Sequence, residues 1–74
     1  MQEIKAAIAA NIQELRRSHK MTQSELAQKI NYTDKAVSKW ERAESVPDIS
    51  ALKQIADTFS VTVDYLLTRE HSEY

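Results

Sequence analysis

Apolar residues recur along this chain at helical spacing from end to end. Ile4, Ile8, Ile12 and Leu15 are separated by 4, 4 and 3 positions, and Ala6, Ala7, Ala9 and Ala10 add helix propensity, so a first helix is predicted over residues 3–18 with this stripe in the core. Thr22 followed by Glu25 forms a capping-box pair. Leu26, Ala27 and Ile30 then make a second, shorter stripe, which should stop at Asn31, a residue that tolerates a left-handed backbone. Thr33 is the next N-cap candidate. After it Ala36, Val37 and Trp40 face one way, while Asp34, Lys35, Ser38, Lys39 and Arg42 fall outside that face. Residues 43–46 read as a loop, Val46-Pro47 as extended, and Asp48 as the cap of a fourth helix with Ile49, Leu52, Ile55, Ala56 and Phe59 inward. Ser60-Val61 ends it. Thr62 caps a fifth helix from Val63 to about Arg69, with Leu66 and Leu67 apolar, and the tail of about residues 70–74 should be mobile.

The pattern is therefore all-α, and 74 residues make one domain, residues 1–74, of modest stability. There is no cysteine, which removes disulfides and thiolate metal sites. No run approaches the ~20 apolar residues of a membrane span, and the alanine-rich start lacks a basic leader and cleavage pattern; a cytoplasmic location, bacterial or phage-encoded, is expected. The net charge of −1 conceals an asymmetry. Residues 1–42 carry eight Lys/Arg against five acids, and residues 43–74 carry two against six. Screening is nearly complete beyond ~8 Å at physiological salt, so a basic face in the first part acts independently of the acidic remainder.

Residues 23–42 are the organising stretch. Its first helix is short, and Ala27 lets the second cross it closely, held by Val37 and Trp40. What remains outside is a polar, mostly basic rod of a width that one DNA major groove admits. The Thr-Gln opening, the Leu-Ala pair, the capped turn, the Val-Ser-Lys-Trp-Glu-Arg run and the downstream Pro-Asp resemble the helix-turn-helix of the Cro/C1-type (XRE-like) family of bacterial and phage regulators. With its flanking helices the similarity covers roughly residues 8–67. It implies a compact five-helix bundle of the lambda-repressor-like DNA-binding type. Asn31 and Ala43 stand where that family usually carries glycine. Asn31 should adopt the same conformation at some cost, whereas Ala43 suggests that the third helix ends differently or runs slightly longer. The resemblance also implies that Arg16 pairs with Glu41, bracing helix 1 against the third helix; a lone carboxylate at the edge of the inward face would otherwise be costly.

Catalytic chemistry has little to stand on. His19 and His71 fall in a loop and the tail, no nucleophile and base recur at helical spacing, and the chain has no glycine for a phosphate-cradling loop. No metal or other cofactor is implied, since no His or Cys repeats at ligand spacing. The candidate partner is double-stranded DNA. Gln23, Thr33 and Arg42 are candidates for positioning on phosphate, and Asp34, Lys35, Ser38 and Lys39 for reading base edges. Lysine donates to guanine and aspartate accepts from cytosine, which leans toward G·C pairs. Asp34 equally suits the positive end of a helix, and Lys35 equally suits a phosphate. One reading helix covers too few base pairs for a genomic site, so a homodimer on a palindromic operator is expected. Tyr65, Leu67 and Val46 are candidates for its surface. The function read from these features is a sequence-specific transcriptional regulator, a repressor by preference. A protein-interaction module built on Tyr65, Leu66 and Leu67, or the antitoxin of a toxin–antitoxin pair, would use the same bundle differently.

Overall fold

The computed structural model describes residues 2–69. Five helices follow in order: α1 Gln2–Ser18, α2 Gln23–Ile30, α3 Asp34–Glu41, α4 Ile49–Phe59 and α5 Val63–Leu66. The last four each start at a side-chain cap. Thr22, Thr33, Asp48 and Thr62 accept from the backbone N–H three residues on, and in α2 the Glu25 carboxylate returns to the Thr22 N–H at 2.8 Å to complete the capping box. Each cap satisfies an amide that the helix cannot, worth about 1 kcal/mol.

The helix ends share a second device. Lys20, Asn31, Ala43 and Ser60 all have positive φ, between 55° and 61°. Each reverses the chain so that the next N–H reaches back to the preceding turn: Met21 to the Arg16 carbonyl, Tyr32 to Ala27, Glu44 to Lys39 and Val61 to Ala56, all at 2.9 Å. This is the terminus that glycine normally provides. Ala43 thus neither lengthens α3 nor ends it differently, the two outcomes that the sequence suggests. It takes the backbone that glycine would take, because the reversal satisfies two carbonyls at once.

The core is one cluster. Ile8 and Ile12 of α1, Leu26, Ala27 and Ile30 of α2, Val37 and Trp40 of α3, Ala51, Ile55, Ala56 and Phe59 of α4, and Leu66 of α5 are buried together. α3 packs across α2 and against α1, while α5 bridges α1 and α4. Ala27, 3 % exposed, sits where the two helices of the motif cross.

Three expectations need correction. Ile4 and Ile49 lie on their predicted stripes but remain 41 % and 84 % exposed, each in the first turn of its helix. The fifth helix ends at Leu66, with Leu67 as its cap, well short of residue 69. Its continuation is replaced by a different contact. Asn11, 1 % exposed, donates from Nδ2 to the carbonyls of Tyr65, Leu66 and Thr68 at 2.9–3.2 Å, and its Oδ1 accepts from Arg69 Nη1 at 2.7 Å. Arg69 in turn grips Glu14 through both nitrogens, at 3.1 and 2.7 Å. A buried amide that lacked these partners would cost 1–3 kcal/mol or so. The predicted mobile tail lies outside the described residues.

Candidate nucleic-acid interface

α3 has two faces with opposite chemistry. Val37 and Trp40 are buried, and the Trp40 ring meets Tyr32 edge-on with centroids 5.4 Å apart. Tyr32 Oη donates to Asp48 at 3.0 Å, so the turn of the motif is tied to the cap of α4. Asp48 also accepts from the Ala51 N–H at 2.8 Å. The Tyr32 hydroxyl is pushed above its usual range, chiefly by that hydrogen bond to the carboxylate.

Glu41 belongs to the inward side. Its carboxylate is gripped by Arg16 through Nε at 2.7 Å and Nη2 at 3.0 Å, and the side chains are only 13 % and 4 % exposed. Arg16 Nη1 also donates to the Met21 carbonyl at 2.9 Å. The guanidinium is held above its usual range by the Glu41 hydrogen bond, against the opposing effect of burial. Two glutamines complete the assembly: Gln23 Nε2 donates to Glu41 Oε1 at 3.0 Å and Gln13 Nε2 to the Glu41 carbonyl at 3.1 Å. Helices α1, α2 and α3 therefore meet on one carboxylate. A buried charge pair with this many partners fixes relative helix orientation, which is what a rigid reading surface requires.

The outward side gathers Lys35, Ser38, Lys39 and Arg42 around a shallow depression of about 250 Å³. Lys35, Lys39 and Arg42 are exposed and Ser38 half-buried. Asp34 and Thr33 sit at the opposite, N-terminal end of the helix. Both are exposed, and the Thr33 oxygen accepts from the Ala36 N–H at 3.1 Å, leaving its hydroxyl proton free to donate. Gln23 is placed less simply than expected. One amide hydrogen is committed to Glu41, and only the other is available to a phosphate.

Glu44 is absent from the sequence-derived set. It accepts from Arg42 Nε at 2.9 Å and Nη2 at 3.1 Å, and Arg42 Nη1 also donates to Ser38 Oγ. Each member of the pair strengthens the other's charge. Hydrogen bonding to Glu44 raises the Arg42 pKa, and hydrogen bonding to Arg42 lowers that of Glu44, to which Lys39 adds a smaller push the same way. Sequence carried a weak signal, an acid two residues beyond a helix-ending arginine, but the left-handed Ala43 that aims it back could not be read.

A five-helix core built around a capped α2–turn–α3 pair, with one buried and one basic face on α3, defines a helix-turn-helix domain. A helix-turn-helix family model matches residues 12–66, and the chain belongs to this Cro/C1-type (XRE-like) family. It is 41 % identical over 59 residues to the HTH-type transcriptional activator BcrR of Enterococcus faecalis, covering 80 % of this chain and 29 % of that protein. It is 33 % identical over 63 residues to the HTH-type transcriptional regulator YqaE of Bacillus subtilis, 85 % of this chain and 54 % of the relative. The chain thus spans from under a third to about half of these relatives. Among solved structures, the P22 c2 repressor in complex with a synthetic operator superposes with a TM-score of 0.79 at 28 % identity, covering 82 % of this chain and 92 % of that one. The hydroxypropylphosphonic acid epoxidase of S. wedmorenis superposes at 0.82 over 92 % of this chain but only 36 % of the enzyme, at 22 % identity, a likeness of fold alone. Among the described residues no helix is long and apolar enough to cross a membrane, and no group of metal-ligating side chains gathers.

Proposed function

We propose that this domain is a non-enzymatic, sequence-specific reader of double-stranded DNA and acts in transcriptional regulation. The observation that carries the reading is α3 itself: a helix locked on its inner side by Trp40 and the Arg16–Glu41 pair, presenting Lys35, Ser38 and Lys39 on the outer side. Such a helix fits a major groove. Lys39 and Lys35 donate to base edges, with Ser38 between them and Asp34 toward the N-terminal end. Gln23, Thr33 and Arg42 hold phosphates, Gln23 through the amide hydrogen not used by Glu41.

The domain acts as a homodimer on a palindromic operator, because one α3 spans too few base pairs to be selective. Repression is the preferred mode: the P22 c2 repressor chain is matched over nearly its whole length, whereas the activator BcrR is matched over less than a third. Candidates for the dimer surface separate in space. Val46 is exposed in the α3–α4 loop, while Tyr65 and Leu67 lie half-buried on the α1–α4 side.

Binding of Lys39→Ala to a selected duplex and to a scrambled one decides the matter. Loss of base contact should cost ~1–3 kcal/mol on the selected duplex and blunt preference at one position per half-site. If Lys39→Ala binds both duplexes as the parent does, α3 is not the reader, and a protein-interaction role takes precedence.

A further inference from the structure

Arg42 does not meet solvent as a bare cation. Three of its five N–H groups are engaged, Nε and one on Nη2 by the two oxygens of Glu44 and one on Nη1 by Ser38 Oγ. The Glu44 carboxylate presents two oxygens to a guanidinium fork, the same geometry as a phosphodiester's two free oxygens. Its position is set by the backbone: Ala43 turns left-handed at φ 59°, and the Glu44 N–H closes on the Lys39 carbonyl at 2.9 Å. The acid is thereby folded back over the C-terminal end of the reading face. Both partners are 53 % exposed, so the pair has no burial to hold it against a competing anion.

We propose that Glu44 is an internal stand-in for DNA phosphate, which occupies the Nε–Nη2 fork of Arg42 in the free protein and must be displaced for that fork to engage the backbone. This rests on the DNA-reading function above and assigns Glu44 a role in setting its affinity. The exchange is sequence-independent, because the phosphate carries no base identity. Glu44 therefore lowers affinity for every duplex alike, and because the displaced carboxylate takes up a cation it lowers the net number of ions released on binding.

The test is titration of the parent, Glu44→Gln, Arg42→Ala and the double variant against the selected and scrambled duplexes at two or more salt concentrations. Glu44→Gln should tighten binding about two- to fivefold on both duplexes, in the range expected for an exposed ion pair, and steepen log K against log salt by up to ~0.9. In the Arg42→Ala background the same change should alter affinity by less than about twofold, since the competition has nothing to act on. Three results overturn the proposal while leaving the DNA-reading function intact: equal affinity of Glu44→Gln and parent, a gain confined to one duplex, or an undiminished gain without Arg42, which would make Glu44 a general repulsive charge. If the parent itself gives no salt-dependent binding to any duplex, both readings fall.

Discussion

Glu41 and Arg42 are adjacent in sequence, and each belongs to an arginine–carboxylate pair made through two hydrogen bonds. Distances are nearly the same, 2.7 and 3.0 Å in the first pair and 2.9 and 3.1 Å in the second. Surroundings differ. The Arg16–Glu41 pair is 13 % and 4 % exposed and joins helices 25 residues apart in sequence, whereas both members of the Arg42–Glu44 pair are 53 % exposed and two residues apart. The same chemistry yields a fixed strut in one case and an exchangeable contact in the other. Water decides it: a partner lost in the interior strands a charge, while one lost at the surface is replaced by solvent or by phosphate.

The largest effect is expected from the wall between the two pairs. Trp40→Ala should cost ~3–5 kcal/mol, most of the stability of a domain this small, and thermal melting that stays within a few degrees of the parent would place α3 wrongly. Arg16→Ala should come next, at about 2–4 kcal/mol, because it leaves the Glu41 carboxylate buried and unpaired. The Arg16→Ala/Glu41→Ala double variant should cost less than the sum of the singles; additive denaturation free energies would demote the strut to two independent charges. Ala43→Gly should go the other way and stabilise by about 1 kcal/mol, since the residue already stands in a left-handed backbone, an increase of roughly 4–8 °C in melting temperature for this size. A decrease would mean that the reversal after α3 is not left-handed in solution. Smallest of all, Glu44→Gln should leave the melting temperature within roughly 2 °C of the parent, while changing DNA affinity. A large loss of stability would erase the contrast between strut and exchangeable contact.

Capping chemistry made most of the helix starts legible, because Thr22, Thr33, Asp48 and Thr62 announce themselves by local hydrogen bonding that needs no tertiary context. The outward face of α3 was legible from periodicity, as the complement of the Val37–Trp40 stripe. Periodicity failed at the ends. Ile4 and Ile49 keep the right phase but stay exposed in the first turns of their helices, and phase says nothing about how far a neighbouring helix extends. Asn11 was missed for the opposite reason. It sits three residues after Ile8 and one before Ile12, at core spacing, yet a polar side chain reads as outward unless one asks which distant carbonyls need a donor. Arg69 was assigned to a helix for want of that same information, and Gln23 to phosphate without its second partner on Glu41.

The Asn11 fastening also orders events in time. α5 has four residues, fewer than an isolated helix needs to persist in water, and the amide that satisfies its last carbonyls comes from 54–57 positions earlier in the chain. Held by contacts this distant in sequence, α5 is expected to close late in folding and to open before α2 and α3 in native fluctuations. Its amide hydrogens should therefore trade with solvent sooner than those of α2 and α3. Each such opening uncovers Leu66 and passes the Asn11 carboxamide to water, so the apolar cost of Leu66 is what keeps the open form rare.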